Sequence, residues 1–129
     1  MDKQQWLERQ ANIKTIEAGG FSHAITFNSN QNKITCGRLT KIVNEFEKRM
    51  NKKLKTKLKW IHFYENASGN AHFHSVVKLD DPTDQISFKK QAPHMWAKLM
   101  KNGQIWIDTY EDTVATYITK GGRFITTTA

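Results

Sequence analysis

The sequence predicts an α+β domain built on a split βαβ-type antiparallel sheet with helices packed on it. Three observations lead there. Leu39, Ile42, Val43, Phe46 and Met50 recur at the helical period and form the clearest amphipathic stripe in the chain. Two β-forming runs within residues 59–79 flank Asn66-Ala67-Ser68-Gly69-Asn70, whose turn chemistry predicts a hairpin. Read in order, the central segments give β, α, β, β, α, β, the split βαβ pattern.

Each element has its own signal. From about Asp2 to Ala18, Trp6, Leu7, Ile13 and Ile16 fall at loosely helical intervals, and Gly19-Gly20 is a stop. A strand follows from about Phe21 to Asn28, then the polar turn Ser29-Asn30-Gln31-Asn32. The Leu39 stripe places a helix from about Gly37 to Lys53, with the stripe in the core. After the hairpin, Asp80-Asp81-Pro82 reads as a loop and Pro93 to Met100 as a helical stretch. Gln104 to Asp108 is a short strand. Thr109-Tyr110-Glu111-Asp112 then looks like a helix start, because early negative charge suits the positive end of the dipole, and Gly121-Gly122 is its stop. Arg123 to Thr128 adds a terminal edge strand. Trp60, Trp96 and Trp106 sit in apolar patterns and are expected in the core.

At 129 residues the chain is expected to be one domain, 1–129. Twenty basic against twelve acidic side chains give a formal net charge of +8, a surplus that attracts polyanions. Much of it clusters at Lys48, Arg49, Lys52, Lys53, Lys55, Lys57 and Lys59. Arg38, Lys55, Lys57, Lys59 and Arg123 are the candidate nucleic-acid contacts, with Lys89 and Lys90 as further cations. The single cysteine, Cys36, forbids an internal disulfide framework and favours a reducing compartment. No segment approaches the apolar length of a membrane span, and Met1-Asp2-Lys3-Gln4-Gln5 lacks a secretory apolar region, so an intracellular protein with no membrane partner is expected.

The chemistry concentrates at His72-Phe73-His74. In a strand, side chains two apart project to the same face, so both imidazoles can grip one ion while Phe73 points away. An even-numbered hairpin loop puts Glu65 beside them, on one face with Ile61, Phe63 and Val76. Two imidazoles and a carboxylate leave coordination positions open, and the oxygen donor suits magnesium or manganese as well as zinc. A closed structural zinc site does not fit a chain with one cysteine. Val114, Tyr117 and Ile118 have helical spacing, which places Tyr117 and Lys120 one turn apart on a common face. Tyr64, opposite Glu65, and Tyr110, with no lysine one turn on, are weaker nucleophile candidates. His23, His62 and His94 read as structural or exposed, with His94 at a helix start.

At this point the chain resembles a known family, the HUH endonucleases of the replication-initiator (Rep) type. Ala24-Ile25-Thr26-Phe27-Asn28 looks like the first family motif, a β-strand that starts the domain. His72-Phe73-His74 is similar to the second, and Tyr117-Ile118-Thr119-Lys120 to the third, which carries the nucleophile. Likeness in order and spacing spans residues 21 to 125. The resemblance implies the HUH/Rep endonuclease fold and a single-stranded DNA nickase and strand transferase that starts rolling-circle-type replication. Tyr117 would attack the scissile phosphodiester, keeping a 5′-phosphotyrosine link and freeing a 3′-hydroxyl. Glu65, His72 and His74 would hold Mn2+ or Mg2+, and Lys120 would assist at the metal, the phosphate or the tyrosine. The implied partners are a single-stranded DNA origin and host replication machinery or a helicase; no Gly-x-x-x-x-Gly-Lys-Ser/Thr phosphate loop is present, so either a host enzyme unwinds the origin or these residues are the nicking domain of a longer protein. A viral or plasmid source, and with it the host cytoplasm if the host is a prokaryote, follows from the same resemblance, while the sequence leaves monomer and homodimer both open.

Two other readings remain open from the residues. The βαββαβ order also occurs in RNA-binding modules, which here would use Phe63, Tyr64 or Phe73 to stack bases. A metal-dependent phosphodiester hydrolase would use water as the nucleophile and leave Tyr117 structural.

Overall fold

Strand β1 (His23–Asn28) alternates buried and half-buried side chains along its length, as a strand does when the layers on its two sides differ. In the computed structural model, which describes every residue except 32, 67, 68, 128 and 129, β1 lies inside a five-stranded sheet. Its partners are β2 (Lys59–Glu65), β3 (His72–Lys78), β4 (Gln104–Thr109) and β5 (Arg123–Ile125). The order is β4-β1-β3-β2-β5, and each neighbouring pair is antiparallel. Thus β1 and β2 run parallel on either side of β3, while β3 and β4 run parallel on either side of β1. Two split βαβ units interlock, as the sequence predicts.

Helix α2 (Cys36–Leu54) links β1 to β2, and α3 (Pro82–Leu99) links β3 to β4. Both cover one face of the sheet. Leu39, Val43, Phe46 and Met50 of α2 and Phe88, Ala92, Met95 and Trp96 of α3 close over Phe27, Phe73 and Val77. Burial of each of the large apolar side chains among them contributes about 1.5–3 kcal/mol. The opposite face is covered in part by α1 (Lys3–Ala18) and α4 (Val114–Thr119), whose Ile16, Ala115 and Ile118 pack on Phe21, Phe63 and Val76. Among the described residues no helix is long and apolar enough to cross a membrane.

Three expectations fail for identifiable reasons. The region 80–93 is not a loop followed by a helix at Pro93. Asp81 caps α3 by accepting from the amides of Thr83, at 2.7 Å, and Asp84, at 3.3 Å, and Pro82 occupies the first turn, where its missing N–H costs nothing. Pro93 then sits mid-helix on the exposed side, tolerated because the Phe88, Ala92, Met95 and Trp96 stripe anchors the helix on both sides of it. His94 is accordingly mid-helix and exposed. At the other end, Thr109 completes β4 and Tyr110 N–H still donates to Ser22 O, at 2.9 Å. Helix α4 therefore starts later, at Val114, and is only 6 residues long. Finally, Trp106 is not core. Ile105 and Ile107 take the inward positions of β4, and Trp106, of opposite parity, stays 46% exposed. Trp96 is fully buried and Trp60 half-buried against the same core, as expected.

Candidate active site

The hairpin register brings the metal-ligand candidates together. Glu65 pairs directly with His72, and Phe63 with His74, so Glu65, His72 and His74 project to the face carrying α1 and α4. Ile61, Phe63 and Val76 share that face, as the even-loop count requires. Part of the loop, Ala67-Ser68, lies outside the described residues.

The three donors lie within 4.8 Å of one another. His72 Nε2 is 3.0 Å from His74 Nε2, and the two Glu65 oxygens are each 3.6 Å from one imidazole, Oε1 from His72 and Oε2 from His74. Metal–ligand bonds of about 2.0–2.2 Å put adjacent donors about 3.0 Å apart at right angles and about 3.4 Å apart in a tetrahedron. The two imidazole nitrogens already stand at such a spacing, and the carboxylate, with one oxygen towards each ring, can close on a shared cation. The cluster's protonation also fits. His72 Nδ1 is 2.8 Å from Asn70 O, and a carbonyl only accepts, so the neutral ring carries its proton on Nδ1 and leaves the Nε2 lone pair facing the cluster. Burial, first, and the neighbouring His72, second, lower the His74 pKa from 6.5, against an opposing pull from Glu65. Such an imidazole favours the neutral form that a cation requires. Asn70 Oδ1, two residues before His72, is a buried acceptor with no hydrogen-bond partner among the described residues.

Tyr117 reaches the same place from α4. Its ring stands edge-on to His74 with centroids 5.3 Å apart, and it is 65% exposed. Beside both lies an open cavity of about 530 Å³, lined by Thr26, His74, Asp108, Glu111 and Tyr117 among others. Buried Ala115 and Ile118 hold α4 to the sheet. Arg9 of α1 grips it from outside, donating to Thr116 O at 3.1 Å and to Thr119 Oγ1 at 3.3 Å. The chain leaves α4 through Gly121, at φ +78°, where a side chain would be strained. At Gly122 an added Cβ would stand 2.5 Å from Ile118 O. These glycines do act as the stop.

Lys120 departs from expectation. It is the C-cap residue of α4 with extended backbone, φ −78° and ψ 101°, so it does not stack on Tyr117 along a helix face. A six-residue helix ends too soon for that geometry.

The basic candidates divide. Lys59 shares the triad's face but sits six residues along β2 from Glu65, about 20 Å away at strand rise. Its ammonium instead lies over the Phe21 ring at 5.2 Å. Lys55 caps α2 and Lys57 follows it, both at that far end. Arg38, on the first turn of α2, and Arg123, opening β5, lie at the triad's end of the sheet. Arg123 turns to the other face, 5.7 Å over Tyr64, and donates to Cys36 Sγ at 2.8 Å. The ends of β1 and β2 and the starts of β3, β4 and β5 all lie at the triad's end, where residues 29–31, 33–35, 66, 69–71, 100–103 and 120–122 adjoin them. The charged side chains among these residues are Lys33, Lys101 and Lys120, all basic. Lys33 and Lys101 were missed because each stands alone in a polar turn; only the strand order brings them to one rim.

Of the stacking residues named for the RNA-binding reading, two are in the core and one is half-buried. Phe63 and Phe73 are buried at 1% and 0% exposure, and Tyr64 faces Phe73 and Arg123. His62 points away from the triad, as its parity predicts, into a buried cluster with Ser75 and Glu47.

The chain matches no protein-family model and no curated protein. Among solved structures it is similar to the de novo designed protein Foldit4, with a TM-score of 0.54 and 12% identity over 70% of this chain and 94% of that one. At that identity the likeness shows the fold alone.

Proposed function

We propose that this protein nicks single-stranded DNA and holds the 5′ end through Tyr117, as the opening step of rolling-circle-type replication by an HUH-type enzyme. The observation that carries the reading is the convergence of Glu65, His72, His74 and an exposed Tyr117 ring on one open face. A bound Mn2+ or Mg2+ would supply Lewis-acid polarisation of the scissile phosphate. Two nitrogen donors in the set of three favour manganese of the pair.

The residues divide the remaining work. Glu65, His72 and His74 would hold the cation, with His72 oriented through Asn70 O. Tyr117 Oη attacks phosphorus and forms the phosphotyrosine bond. The bond from phosphorus to the 3′ oxygen breaks, the phenolic proton passes to solvent, and the 3′ oxygen takes up a proton to leave a hydroxyl. Keeping the ester on tyrosine preserves it for rejoining. Lys33, Lys101 and Lys120 give the rim a positive field for the phosphate backbone. Lys120 acts from the C-cap on the incoming phosphate.

A hydrolase using water is the second reading, since an open metal site serves either nucleophile. The ring contact between Tyr117 and His74 favours tyrosine. Incubation with pooled single-stranded DNA and Mn2+, followed by denaturing electrophoresis, tests this directly. The reading expects a protein band shifted by covalent DNA that disappears in Tyr117→Phe. Cleaved DNA with free ends and no adduct would support hydrolysis instead.

A further inference from the structure

Register places Trp106, Thr26 and His74 in one row across β4, β1 and β3, all on the same face. Two strand spacings of about 4.8 Å separate Trp106 from His74, so their backbones are about 10 Å apart. Neither α1 nor α4 covers this side of the sheet: Thr26 and Asn28 are half-buried, and Gln104, Trp106 and Asp108 are exposed. The result is a polar floor with one large exposed ring, running into the cavity beside His74 and Tyr117.

We infer that this floor binds single-stranded DNA, with Trp106 as the stacking platform for a base next to the scissile phosphate. The inference rests on the nickase reading and adds the surface that receives the strand. Two features select this occupant. The floor is continuous with the Tyr117 cavity, which Thr26 and Asp108 both line. Charge is also segregated across it, with Lys33 and Lys101 on the rim at the triad's end and the Asp108 and Glu111 carboxylates in the cavity at the other end. A phosphate backbone is drawn to the rim, which directs bases onto the floor. There Gln104, Asn28 and Thr26 offer hydrogen bonds, and Asp108 accepts from exocyclic amino groups. An indole stacks on any base, so the platform secures the strand without choosing its sequence.

Binding of a fluorescent oligothymidylate without metal tests the platform apart from cleavage. Trp106→Ala should weaken binding about 5- to 150-fold, the loss expected for one stacked base. Trp106→Phe should recover most of the affinity and Trp106→Leu little of it, because the ring face rather than apolar bulk makes the contact. Trp6→Ala, which removes the exposed indole on α1, should bind like wild type, and circular dichroism should show all four variants folded. Unchanged affinity in Trp106→Ala, or equal affinity in the Phe and Leu variants, would overturn the inference. The two readings fail separately. An adduct at Tyr117 with no effect of Trp106 sinks only the platform, whereas Trp106-dependent binding with no adduct sinks only the nickase.

Discussion

The sheet carries a carboxylate–imidazole cluster on each face, and the two are opposites. On the α2/α3 face, Glu47 and His62 pair Oε1 to Nε2, His62 Nδ1 lies 2.6 Å from Ser75 Oγ, and Thr127 donates to both Glu47 oxygens at 2.8 and 2.9 Å. Glu47 and His62 are 2% and 1% exposed, sealed among Phe27, Trp60 and Phe73. On the other face, Glu65, His72 and His74 meet at longer distances, beside an exposed tyrosine and a cavity. The same residue types make a closed joint in one place and an open one in the other. Satisfied lone pairs and excluded solvent give structure; facing lone pairs and access give a site.

Substitutions should separate the two faces, and the largest effect is expected on the open one. Tyr117→Phe should abolish the covalent adduct in gel assays while leaving Mn2+ affinity within about 2-fold, since a side-chain hydroxyl outside the metal's donor set contributes little to binding it. His72→Ala or His74→Ala should weaken Mn2+ binding by calorimetry beyond the roughly 10- to 100-fold that loss of an outer-shell partner costs. Retained affinity in both would erase the distinction between the clusters. On the closed face, Glu47→Ala should do the reverse. It leaves the buried His62 without its acceptor and should cost about 1–3 kcal/mol in chemical denaturation, with Mn2+ affinity unchanged.

Acidification sharpens the contrast further. The pKa of His74 is lowered from 6.5 in the fold, by burial first and His72 second, and that of His23 is lowered by burial and then Lys89. Below 6.5 the unfolded chain takes up these protons more readily than the fold does. The stability contribution is whole above about pH 6.5 and is lost as pH falls towards the folded values. Denaturation midpoints of metal-free protein should decline over that window; midpoints that rise on acidification would contradict the buried neutral imidazoles. The smallest effect is expected at Arg9, whose loss should cost about 1 kcal/mol of net hydrogen bonding and slow adduct formation a few-fold by loosening α4. A rate equal to wild type would show that Ala115 and Ile118 alone position Tyr117.

Much of this was legible in the sequence because it depends on parity. A period of two forces His72 and His74 to one face and His62 to the other, and an even loop aligns Glu65 with them. The α2 stripe is equally local. What parity could not supply was the count of turns. Pro82 and Pro93 look alike in sequence, yet one begins a helix and the other lies inside it, held there by the apolar residues on both sides. Likewise Lys120 reads as part of a helix until Gly121 and Gly122 end it early. Trp106 shows a signal present but overlooked: Gln104-Ile105-Trp106-Ile107-Asp108 alternates, and two isoleucines outvote one tryptophan for the inside. The basic rim was hidden for a different reason, since Lys33 and Lys101 meet only through the β4-β1-β3-β2-β5 order.

Crystals equilibrated with Mn2+ and measured near its absorption edge put the contrast between the faces to the most direct test. A single anomalous peak should appear within bonding distance of His72 Nε2, His74 Nε2 and a Glu65 carboxylate oxygen, with none at Glu47 and His62. A peak absent from the open cluster, or present at the closed one, would contradict the account.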